Sequence, residues 1–150
     1  MRSFKKFWFA HQSQSKGHSR GQSLVELALT LPLLFLILFG VVDLGRLFTA
    51  YVTIANASRE GARYGMTNSM DSSGIVQAAV NEAGGLIGAS NVVIQCASSG
   101  SPQNYGSCAS PQPGDRMKVT ASYNFQFATL YLFGLSSITI SDHTIMMIAK

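Results

Sequence analysis

Residues 20–42 read RGQSLVELALTLPLLFLILFGVV: a polar lead-in, one carboxylate at Glu26, then 16 positions from 27 to 42 without a charged side chain. Extended back to Gln22, the run is 21 residues broken only by Glu26. At about 1.5 Å per helical residue it reaches roughly 31 Å, one hydrocarbon thickness. The stretch therefore reads as a single membrane-crossing helix, and the fold has to be built around an element that buries its side chains in lipid.

Charge on either side gives that helix a direction. Arg2, Lys5, Lys6, Lys16 and Arg20 lie before Gln22 with no acidic residue among them, out of eleven basic side chains in the chain. The rest of the chain holds six basic and seven acidic groups, so the formal charge of +4 becomes −1 for residues 22–150. A nucleic-acid partner is not implied, because the basicity is confined to the leader. Under the positive-inside rule the leader stays cytoplasmic and residues from about 44 onward lie outside. A secretory signal peptide has the same layout, with Ala55-Asn56-Ala57 as an A-x-A-like site. Against it, the apolar run is long for a signal and Ala57 lies 15 residues beyond its end.

Glu26 needs its own reason. A carboxylate well inside a membrane helix costs roughly 2.5–3.5 kcal/mol, and less near the interface, so it either marks the cytoplasmic edge of a span over residues 27–42 or has a partner. Gly21 ends the polar leader, and Leu24 and Val25 begin the apolar face before the charge appears.

The pattern GQSLVE followed by an apolar helix resembles the processing site of type IV prepilins and pseudopilins. In that family a membrane peptidase cuts after the glycine, which would make Gln22 the new N-terminus and Glu26 the fifth residue. A neighbouring subunit's new α-amino group can then pair with the carboxylate. Over about 45 residues the chain resembles the TadE family of the tight-adherence (Flp) pilus system, through Gly21, Val25, Glu26, Ala28, Pro32, Asp43, Gly45, Ala57, Gly61, Ala62 and Arg63. The resemblance implies a minor pilin or pseudopilin in a bacterial inner membrane, N-terminus cytoplasmic. Its implied partners are membrane lipid, a prepilin peptidase, other pilin or pseudopilin subunits and the pilus assembly platform. It implies no cofactor and no metal. An uncleaved membrane protein whose head binds a ligand or envelope component is the rival reading.

From Asp43 the chain stays compatible with helix, with no proline until Pro102. Small residues recur at Gly45, Ala50, Ala55, Ala57, Gly61, Ala62 and Gly65, and small side chains let helices approach closely. Asp43 with Arg46, and Glu60 with Arg63, are charge pairs at helical spacing. On a solvated face each contributes about 0.2–0.5 kcal/mol, so an ordinary exposed face and a stalk face that packs against sister subunits are both open. Pro32 lacks an N–H and should loosen or kink the span. The expected division is a leader over 1–21, a transmembrane helix and stalk over 22–66 with its core at 27–42, and an exported head over 67–150.

In the head, Asp71, Ser72 or Ser73 can cap a second helix whose apolar face is Ile75, Val76, Ala79, Val80 and Ala83, ended by Gly84-Gly85. Residues 91–97 read as a short strand. Met117, Val119, Ala121, Tyr123, Phe125 and Phe127 alternate with polar residues, so one face is buried. Ile138, Ile140 and the apolar close at 145–149 suggest a third strand, and the apolar run 127–135 can cover the sheet, touch the membrane surface or contact a partner, with cover for the sheet the favoured reading. Together these predict an α+β, pilin-like chain: a long N-terminal helix continuing into a small head with one further helix on a short antiparallel sheet. Cys96 and Cys108 are the only cysteines, and in an exported domain they read as a disulfide. Nothing argues for an enzyme: His143 adjoins Asp142 in a strand, where neighbours face opposite ways, and no phosphate loop, zinc spacing or calcium loop is present.

Overall fold

A computed structural model describes residues 19–129, 131, 134 and 136–149. The leader before residue 19 lies outside the described residues, as do Leu130, Leu132, Phe133 and Leu135 of the run expected to cover the sheet. The chain divides into two compact units, residues 1–38 and 39–150.

Helix α1 spans Ser19–Thr67, 49 residues, and continues through Pro32. Within the first unit its leucines and Phe35 are exposed on all sides, and it is long and apolar enough to cross a membrane. Such a surface has no stable place in water, so the element fits a single-pass membrane protein.

The second unit, residues 39–150, holds the α+β elements expected from the periodicities together with the later part of α1. Helix α2 covers Ser72–Glu82, and strands β1, β2 and β3 cover Val92–Ala97, Arg116–Gln126 and Ser137–Met147. They form one antiparallel sheet in the order β1-β2-β3, with Cys96 opposite Met117, Val119 opposite Thr144 and Tyr123 opposite Ile140. Because the pleat alternates, Met117, Val119, Ala121 and Phe125 are buried on the face that meets the helices. Ile54, Ala57 and Ala62 of α1, Ile75 and Ala79 of α2, and Ile87 complete the core.

Two of the small residues of α1 that read as permitting close helix approach, Gly61 and Gly65, are used inside this chain. A Cβ added at Gly61 would sit 3.1 Å from Val119, 3.2 Å from Ala79 and 3.3 Å from the Ile75 carbonyl oxygen, and one at Gly65 would collide with Met117 Sδ. Glycine at these two places lets α1 lie against α2 and the sheet together.

Asp71 is the N-cap of α2: its Oδ1 accepts the Gly74 backbone N–H at 2.9 Å and the Ser73 hydroxyl at 2.7 Å, and its Oδ2 accepts the Tyr64 hydroxyl at 2.9 Å. The Gly74 amide above all, then Ser73 and Tyr64, hold this carboxyl below its ordinary value of 3.8. A depressed folded-state pKa stabilises the fold above the ordinary value, and that contribution is lost as pH falls through the folded value. In melting experiments Asp71→Ala should therefore be less stable than the parent at neutral pH, with the gap narrowing steadily below about pH 4. A gap independent of pH would show that the carboxylate charge contributes nothing.

The disulfide joins Cys96 to Cys108 with Cα atoms 5.0 Å apart. Gly106 exchanges two backbone hydrogen bonds of 2.9 Å with Cys96, so the Ser/Gly/Pro-rich loop folds back along the free edge of β1. Asp115 holds the same loop by accepting the backbone N–H of Ser99 at 3.0 Å and of Gln112 at 2.9 Å.

Candidate functional site

Gly21, Gln22 and Glu26 lie on the exposed first turns of α1. Nothing approaches within 4 Å of where a Cβ at Gly21 would be. Gln22 and Glu26 are four apart and share a helix face, so a new amine at residue 22 and this carboxylate would occupy the same side of the helix. Pro32 lies within the same exposed stretch.

The second group, Asp43, Gly45, Ala62 and Arg63, is not one site. Ala62 is fully buried in the head core. Arg63 is an exposed side chain whose Nε donates to Glu60 Oε2 at 2.8 Å, the surface pair expected from its spacing. Gly45 has open space around its Cα and lines a cleft of about 700 Å³ with Arg46, Thr49, Thr53, Gly84 and Gly85.

Asp43 departs from the surface-pair expectation. It is 1% exposed, and Arg46 Nη1 does donate to its Oδ1 at 3.0 Å. Its Oδ2 also accepts the backbone N–H of Ala128 at 3.1 Å and of Thr129 at 2.9 Å, 85 and 86 residues away in sequence. Arg46 in turn lies 5.3 Å over the Phe125 ring, and Phe125 meets Phe127 edge to face at 5.2 Å. The carboxylate thus ties the chain leaving β2 to α1 one residue past the charge-free run. Replacing Asp43 with alanine leaves those two amides without an acceptor. Their hydrogen-exchange protection should drop about tenfold, with Asp43→Asn intermediate. Unchanged exchange at Ala128 and Thr129 would mean the segment is held by something else.

Sequence reasoning did not find Ser58. Its side chain is fully buried, with Oγ 3.0 Å from the Ala55 carbonyl oxygen, 3.1 Å from Asp142 Oδ2 and 2.9 Å from Thr144 Oγ1. A hydroxyl has one proton and two lone pairs, so Ser58 donates to Asp142 or Ala55 while accepting from Thr144. This is the polar clasp between α1 and β3. The available signal was Asp142 and Thr144 falling in the same period-two frame as Ile138 and Ile140. His143 stands opposite Thr120 in the other frame, so the strand turns it away from Ser58 and Asp142. Among the described residues no group of three or more His, Cys, Asp or Glu side chains is placed to hold a metal ion.

Residues 21–63 match the TadE family model, described as TadE-like protein. The matched segment takes in Gly21, Glu26, Asp43, Gly45, Ala62 and Arg63, and leaves out Cys96, Cys108 and all three strands. No curated protein and no solved structure matches the chain.

Proposed function

We propose that this chain is a minor pilin or pseudopilin that assists assembly of an adhesive Flp-type pilus. The match over residues 21–63 and the exposed apolar helix support a membrane protein associated with such a pilus. The observation that carries the finer reading is Glu26: an exposed carboxylate at the entrance of an apolar helix, in the fifth position after Gly21.

In this reading a prepilin peptidase cuts after Gly21 and removes the basic leader from the cytoplasmic side of the inner membrane. The mature helix then begins at Gln22, with its free N–H groups and α-amino group pointing out of its first turn. A carboxylate in the opening turns of a helix is favoured by the partial positive charge there, and Glu26 is also available to the amine of a neighbouring subunit. Assembly and cleavage become linked, because only a cut chain presents the amine. The head, exported, supplies contacts to sister subunits and the assembly platform. The role is structural rather than catalytic.

Intact-mass analysis of protein from cells with an active prepilin peptidase tests the cut: a chain starting at Gln22 is expected, and recovery of only the full-length chain would overturn it. Glu26→Ala should lose pilus assembly at normal protein level. Unimpaired assembly in that variant would favour the uncleaved, ligand-binding alternative.

A further inference from the structure

The charge-free run over residues 27–42 covers about 24 Å as a helix, short of a hydrocarbon core of about 30 Å. Reaching back to Gln22 closes the gap only by placing the exposed carboxylate of Glu26 in the apolar layer. The other direction meets Asp43 and Arg46, which the structure pairs with each other. Asp43 is buried, with its oxygens taken by two backbone amides and by Arg46 Nη1, while the rest of the Arg46 side chain, 53% exposed, opens into the cleft with Thr49 and Thr53, apart from the apolar cleft that Leu44 and Phe48 line.

Beyond Asp43 the outward face of α1 remains apolar: Leu44 is 62% exposed, Phe48 69% and Tyr51 46%. Counted through Phe48 the run is 22 residues, about 33 Å, which matches the hydrocarbon core. The same side chains, with Ile138 and Ile140 of β3, line an apolar cleft of about 500 Å³. The hold of Asp43 on Ala128 and Thr129 starts the following segment at this same level, and Tyr131, two residues on, is 70% exposed. Aromatic side chains of this kind collect where a bilayer meets water.

We propose that the surface formed by Leu44, Phe48, Tyr51, Tyr131 and Ile138 is seated in lipid at the far interface of the membrane, so that the boundary falls near Phe48 and not at Val42. The proposal rests on the reading of residues 27–42 as a membrane span. Lipid is the occupant because Leu44 and Phe48 follow the apolar run along the same helix and the cleft they line with Tyr51 and Ile138 carries no charged side chain.

Single-tryptophan variants of the full chain test it, in vesicles of phosphatidylcholine and phosphatidylglycerol brominated on the acyl chains, near the headgroup in one preparation and near the chain end in another. In a Trp8→Phe background the probes are Leu36→Trp within the span, Phe48→Trp and Tyr131→Trp on the proposed surface, and Met70→Trp past the end of α1, where the side chain is 71% exposed. Circular dichroism confirms the fold of each. Leu36→Trp, Phe48→Trp and Tyr131→Trp should lose most of their emission to the brominated lipid, and Met70→Trp none. Quenching of Leu36→Trp while Phe48→Trp or Tyr131→Trp stays at the Met70→Trp level would overturn the seating and leave the span standing, with a protein partner as the occupant. Quenching at none of the four would overturn the span and the seating together.

Discussion

Replacing Ile75 with alanine is expected to destabilise the head by about 2–5 kcal/mol, the range for removing a buried isoleucine side chain without collapse of the site. Ile75 is fully buried in the second turn of α2, and its Cδ1 and Cγ1 lie 3.1 and 3.3 Å from the point where a Cβ at Gly65 would be. Met117, whose Sδ lies beside the same point, is flexible and can take up part of the vacated volume, which keeps the cost below the upper end. Denaturant unfolding of the detergent-solubilised chain, followed by near-ultraviolet circular dichroism, reads the change. Met70→Ala, at an exposed position, should stay within about 0.5 kcal/mol of the parent. A loss at Ile75 no larger than that control would mean that α2 does not close the core.

Removing the disulfide by the double replacement Cys96→Ser with Cys108→Ser should cost about 3 kcal/mol on the chain-entropy account. The bridge closes a separation of 12 residues, and the unfolded chain regains that freedom when the bridge is gone. The native contacts around it favour survival of a folded state, because Cys96 keeps its ladder position opposite Met117 and its backbone pair with Gly106. Reduction of the parent protein should lower its melting temperature by the same amount as the double replacement. If reduction leaves melting unchanged, the loop is already ordered by Asp115 and the bridge is redundant.

Local rules made most of the architecture legible. Asp71 ahead of an apolar helical period, with Gly84 and Gly85 at positive φ behind it, bounded α2 because a cap and a stop are local devices. The alternation from Met117 exposed β2 because one face of a sheet against helices must be apolar. The close of β3 was harder to read: Ile145 and Met147 are 45% and 60% exposed, in the frame opposite to Met146, since a strand at the edge tolerates apolar residues on its open face. Asp43 was recognisable as a fixed polar residue but not as a tether, because its partners are backbone amides, which carry no side-chain signature. Ser58 was hard to read for a different reason. A serine in an alanine-rich helix is commonplace, and only the pairing of β2 with β3 brings Asp142 and Thr144 to it.

The dual use of α1 governs where this protein can be divided. Ile54, Ala57, Ser58 and Ala62 belong to the core of the head although the same helix carries the apolar run. A version of the head freed of the apolar run therefore has to retain α1 at least from Ala50, where its buried apolar positions begin. One begun after Thr67 would strip Met117, Val119 and Ile75 of their cover and should be recovered as aggregate.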